Sequence, residues 1–177
     1  MPHISGRQLR RLLLCAPVVA MLPSGVAAES NTESIGPWEI EAVYKNDKFD
    51  RCAITRTVEN DIAVTFIRTG DGLSLMLSSP NWKLESGEAY PVTMKLGRQT
   101  WDREVAAEAS AVSMDMDDAK FVSSLRAANA LDVVAAGATI RVPLDKSAAA
   151  FERLEQCVAK NEGAVETNPF VVPARRP

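Results

Sequence analysis

Leu73, Leu75 and Leu77 recur at strict period two with Ser74 and Ser78 opposite, and the same alternation runs through most of the chain. Successive side chains of a strand point to opposite faces, so this period marks strands with one buried face. A chain patterned this way cannot bury its apolar residues as a helix bundle. Trp38, Ile40, Ala42 and Tyr44 alternate with Glu39, Glu41 and Lys45; Cys52, Ile54, Arg56 and Val58 follow, then Ile62, Val64 and Phe66. Later come Tyr90, Val92, Met94 and Leu96, then Trp101, Arg103, Val105 and Ala107, then Val112, Met114 and Met116. Turn signals at Glu59-Asn60-Asp61, Gly70-Asp71-Gly72, Ser78-Ser79-Pro80-Asn81 and Leu96-Gly97-Arg98-Gln99 separate these runs. Pro91 has no N–H to give a ladder, which predicts an edge strand or a strand start there.

The period then changes. Asp117 or Asp118 can cap a helix carrying Phe121, Val122, Leu125 and Ala128. Leu131 to Ala136 fits neither period well. Thr139 to Leu144 reads as a strand, after which Asp145 or Ser147 caps an amphipathic helix with Ala150, Phe151, Leu154, Cys157 and Val158 on one face. The expected fold is mainly β: an antiparallel β-sandwich-like domain of about seven to nine strands, with a short helix and a C-terminal amphipathic helix. The first half has no helices between its strands, which argues against a doubly wound α/β fold.

Arg7, Arg10 and Arg11 precede a nearly continuous apolar run from Leu12 to Leu22, followed by Val26-Ala27-Ala28 and a polar stretch. This is the pattern of a secretory signal peptide, residues 1–28. The run is about half of the roughly 20 residues that span a bilayer. Leu14 before Cys15 is too large for a lipid-attachment site. Residues 29–34 read as a linker and 35–160 as a single domain. Residues 161–177, punctuated by Pro169, Pro173 and Pro177, read as a disordered tail. The mature protein is therefore expected in the periplasm or secreted, with no integral membrane segment.

Cleavage removes three of the 20 basic residues and none of the 23 acidic ones, leaving a net charge of -6. A sequence pI of 5.3 is far from the value above roughly 9 typical of nucleic-acid-binding domains, so no nucleic-acid partner is expected. Cleavage also removes His3, the only histidine. Ser-His-Asp and Cys-His catalysis need an imidazole, and most catalytic zinc sites are built on one. No glycine-rich phosphate loop is present. No catalytic residue, metal or cofactor is expected. The enzymatic alternative is a histidine-independent hydrolase using paired carboxylates, for which Glu39, Glu41, Asp47 and Asp50 are available without a distinguishing spacing. Asp115, Asp117 and Asp118 lack the loop of a calcium hand and read as helix-capping charge.

Two cysteines remain, Cys52 and Cys157. In an oxidising compartment they are expected to pair, tying the second of these strands to the last helix. The absence of a C-x-x-C motif favours a structural bridge over a redox site. Trp82 lies in a polar loop, where it is either a recognition residue or folded over the core. Arg51, Arg56 and Arg68, with Arg98 and Arg103, lie on or beside strands. On a shared outward face they would form a basic stripe; otherwise they are a solvated surface. Trp82, Arg51, Arg56 and Arg68 are the candidate partner-binding residues.

Gly36-Pro37-Trp38, Cys52-Ala53-Ile54, Pro80, the acidic-led helix Met116-Asp117-Asp118-Ala119-Lys120-Phe121, the strand Ile140 to Leu144 and the segment Ala150 to Leu154 follow one another in a familiar order. In these features the chain resembles the invasion-associated locus B family, small exported proteins of Gram-negative bacteria. The resemblance covers about residues 35–158. Family members often carry a cysteine just after the first strand, where this chain has Glu41-Ala42, and a second pair in mid-domain, which this chain lacks. The resemblance implies an exported β-sandwich-like module linked to host-cell interaction, not an enzyme. The expected function is therefore non-enzymatic binding of an unidentified protein or envelope component. A structural envelope protein is the other alternative.

Overall fold

The computed structural model describes residues 32–162. The expected signal peptide, residues 29–31 of the linker and the tail from residue 163 lie outside the described residues. Ten antiparallel strands form one sheet: β1 (Glu33–Ile35), β2 (Trp38–Lys45), β3 (Lys48–Val58), β4 (Ile62–Arg68), β5 (Leu73–Ser78), β6 (Ala89–Leu96), β7 (Gln99–Glu108), β8 (Ala111–Asp115), β9 (Ala130–Ala135) and β10 (Ala138–Pro143). Two helices, α1 (Ala119–Ala127) and α2 (Ser147–Glu162), complete the fold. The mainly β class with a short and a C-terminal helix matches the alternation.

The spatial order is β1-β2-β3-β4-β5-β8-β7-β6-β9-β10. The first five strands are a meander. The chain then skips two positions through the Ser79–Glu88 connection, comes back through β6, β7 and β8 to pair with β5, and crosses through α1 to place β9 on the far side of β6. This one sheet curls far enough to bring the end of β10 to β2 and β3. Arg56 on β3 donates to the carbonyl of Pro143 at the end of β10, and Trp38 Nε1 donates to the Asp145 carbonyl at 2.9 Å.

The ten strands are one more than the upper end of the expected seven to nine, and two of them, β1 and β9, carry no clear alternation. β1 lies in the segment read as a linker; its three residues include exposed Glu33 and Ser34, so no alternation marks it. β9 is the stretch that fitted neither period, because Leu131 and Val133 are buried while Val134 on the other face is also half-covered. Pro91 is accommodated inside β6, a strand with neighbours on both sides. β9 pairs with β6 only over Val92 to Lys95, so Pro91 lies where that side of β6 has no ladder. Residues 161 and 162, read as the start of a tail, belong to α2. Asn161 is still in α2, where its amide donates to the Cys157 carbonyl and accepts from the Tyr44 hydroxyl.

Residues directly opposite in the ladders share a face, and the register carries the apolar set across the sheet. Ile40, Ile54, Phe66, Leu75 and Met114 form one row. Val64, Leu77, Val112 and Ala107 form the next. The concave face made by these rows is the core. At one end α2 lies on it: Phe151 meets Phe66 edge-on at 4.9 Å, and Phe66 meets Trp38 at 5.9 Å. Cys157 on α2 is bonded to Cys52 on β3, as the cysteine count predicts. α1 lies beside it, with Phe121 edge-on to Trp101 at 5.0 Å. Arg126 of α1 stacks on the Phe151 ring, and Glu155 of α2 pairs with both Arg126 and Arg68.

Candidate functional site

The helices cover only part of the concave face. At the other end lies a cavity of about 560 Å³, to whose lining neither helix contributes. Its walls come from eight strands, β3 through β10. Ile62, Leu77, Val92, Val105 and Val133 form its buried interior. Val58, Val112, Ala135 and Ile140 extend it towards solvent. These side chains are there because the period-two pattern points them inward, while α1 and α2 are too short and too far along the sheet to cover them.

One side of the cavity is closed by the connection between β5 and β6. Trp82 and Leu84 from that connection line the cavity, each half-buried. Their positions are set by backbone bonds: Ser79 N–H to the Ser110 carbonyl, Leu84 N–H to Ala109, and Gly87 N–H to Ala107. The loop is thereby stitched to the β7–β8 turn. Trp82, the loop aromatic singled out in the sequence, both packs against the core and faces the cavity. The polar side chains of the lining are Glu59, Asn60, Thr139 and Arg141, all exposed, and half-buried Tyr90 and Trp82. Asn60 adopts φ of +61° in the tight turn between β3 and β4, a conformation that asparagine tolerates better than most residues.

The arginines are not assembled into a basic stripe. Arg56, Arg68 and Arg103 are paired across the ladders with Val64, Cys52 and Val92, on the concave rather than the outward face. Each meets a carboxylate: Arg56 with Asp145 at 2.8 Å, Arg68 with Glu155 at 3.2 Å, and Arg103 with Asp118 at 3.1 Å. Arg51 pairs with its neighbour Asp50, and Arg98 sits exposed in the β6–β7 turn. Arg56 also lies over the Trp38 ring at 5.2 Å, and its Nε is buried with no hydrogen-bond partner among the described residues.

The acidic candidates resolve into local roles. Asp118 is the N-cap of α1, accepting from the N–H groups of Phe121 and Lys120. The Phe121 N–H bond, with Lys120 and Arg103 adding to it and burial opposing it, holds its carboxyl below the ordinary value. The hydrogen bond from Arg56 lowers the Asp145 carboxyl in the same way. Asp145 therefore serves Arg56. No group of three or more His, Cys, Asp or Glu side chains among the described residues is arranged to hold a metal ion. Glu39 and Glu41 are exposed on β2, and Asp47 lies in the β2–β3 turn.

No known family model, curated protein or solved structure matches this chain. The site is thus defined by its own geometry, an aliphatic cavity with a polar rim. Sequence reasoning identified Trp82 but missed the rest of the lining. Val105 or Val133 looks like any core valine in the sequence, and only the placement of the helices leaves it facing a cavity. Among the described residues no helix is long and apolar enough to cross a membrane.

Proposed function

We propose that this chain is an exported, non-enzymatic protein of the bacterial envelope, periplasmic or secreted, that works by binding a ligand on its concave face. One observation carries the reading. A cavity within the roughly 300–1,000 Å³ range of small-molecule sites opens in a wall of aliphatic side chains, with charged groups only at its rim. Such a site gains affinity by desolvation and has nothing in its interior to move a proton. The resemblance to the invasion-associated locus B family supports the same reading and links the binding to host-cell interaction. The Cys52–Cys157 bond fits an oxidising compartment.

The test is native mass spectrometry of the protein isolated from its host's envelope fraction. A stoichiometric added mass, released on unfolding, is the expected result. A chain that carries no added mass and takes up none from an envelope extract would overturn the binding reading.

A further inference from the structure

We infer that the cavity binds the acyl chain of a single-chain amphiphile, a proposal that rests on the binding reading above and names its ligand class. The first argument is chemical. The interior presents Ile62, Leu77, Val92, Val105 and Val133 and no polar side chain. A sugar, nucleotide or peptide backbone entering it would lose its hydration without gaining partners. A hydrocarbon loses nothing there.

The second argument is polarity along one axis. The polar side chains of the lining are those of Glu59, Asn60, Thr139 and Arg141, all exposed, and half-buried Tyr90, so the cavity's hydrogen-bonding groups, a carboxylate and a guanidinium among them, lie on its solvent side. Arg141 keeps donors free beyond the Nη1 that it gives to Asp132. An apolar body inside and one polar end at the mouth is the description of an amphiphile. The small branched walls offer no flat aromatic face in the interior. The aromatic lining residues are Trp82, in a loop, and Tyr90, near the start of β6. A flexible chain fits such walls better than a planar ring.

The third argument is size. A cavity of about 560 Å³ lies within the roughly 300–1,000 Å³ range of small-molecule sites and has room for a hydrocarbon chain.

The experiment is a calorimetric titration of the exported, disulfide-bonded protein with saturated fatty acids from octanoate to stearate, each below its micelle concentration. A parallel series uses lysophospholipids of the same chains. Affinity is expected to rise about fourfold per methylene and to level off once the chain outgrows the cavity, with a shift in Trp82 emission that Trp82→Phe abolishes. Ala135→Phe, which places a ring in the cavity, is expected to weaken binding at least tenfold with an unchanged circular dichroism spectrum. Ile140→Phe on the edge strand is the second occluding variant should the first fail to fold. Equal affinities in the two series assign recognition to the chain alone. A preference for one series identifies the head group. Binding without chain-length dependence overturns the acyl proposal, as does capture of an extended peptide on the free edge of β10. In both cases the binding reading stands. Failure of every titrant together with the absence of any native added mass overturns both.

Discussion

At the residue scale, two aspartates tie local structure to pH. Asp145 accepts from Arg56, and this bond holds its carboxyl below the ordinary aspartate value of 3.8. A lowered folded-state value means the ionised form stabilises the fold. The contribution is complete above the unfolded value and is lost as pH falls through the folded one. Asp145→Asn is therefore expected to lower the urea midpoint at neutral pH, and the difference from wild type should close as the titration is repeated at increasingly acid pH. Gly36 gives a second residue-scale prediction. It turns β1 into β2 with φ of +58°, and a Cβ there would come within 3.0 Å of Lys146 Cγ. The flexible lysine can move aside, but the left-handed backbone cannot be relieved. Gly36→Ala should cost roughly 1–2 kcal/mol in equilibrium unfolding, and adding Lys146→Ala should recover little of it.

At the element scale, α2 is the piece that turns an open sheet into a stable core. Phe151 sits between Phe66 and Arg126 and is 1% exposed. Phe151→Ala should cost about 3 to 5 kcal/mol, read as a shift in denaturant midpoint. The same helix is bonded to β3 through Cys52–Cys157, a sequence separation of 105. For a loop of that length the chain-entropy model gives about 4 to 5 kcal/mol. Reduction, or Cys157→Ser, should lower the urea midpoint accordingly without changing the wild-type strand content in the absence of denaturant. The alternating apolar positions of β2 to β8 were legible in the sequence, as was the apolar face of α2. β1 and β9 were not, since the first is three residues long and the second is buried on one face and half-covered on the other.

At the scale of the molecule, the concave face is divided between a helix-packed end and a cavity end. Hydrogen exchange should report that division. Amides of Ile54 and Phe66 beneath α2 are expected to exchange slowest, and those of Ala138 to Arg141 on the free edge fastest, with pulse labelling resolving the two classes. Uniform protection would show that the two ends open together. The arginines illustrate why this scale escapes pattern reading. Arg56, Arg68 and Arg103 occupy inward positions of alternating strands, which a sequence reading assigns to surface or core only by residue type. They are tolerated on the concave face because Glu155 arrives there from α2, Asp118 from the N-cap of α1 and Asp145 from the short connection between β10 and α2.

The sequence by itself determined the β class, the antiparallel hairpins, the Asp117–Asp118 start of α1, the apolar stripe of α2 and the pairing of Cys52 with Cys157. Each of these follows from short-range sterics and periodicity, or from a count that leaves one pairing. The tertiary structure alone decided the strand order, which brings β8 back to β5 and sets β9 beside β6. It also decided the curl that brings Pro143 to Arg56 and the cavity left beyond the helices. A valine lining a cavity and a valine buried in a core obey the same local rule. What distinguishes them is which distant element comes to lie over them, and that is set by the free energy of packing the whole chain.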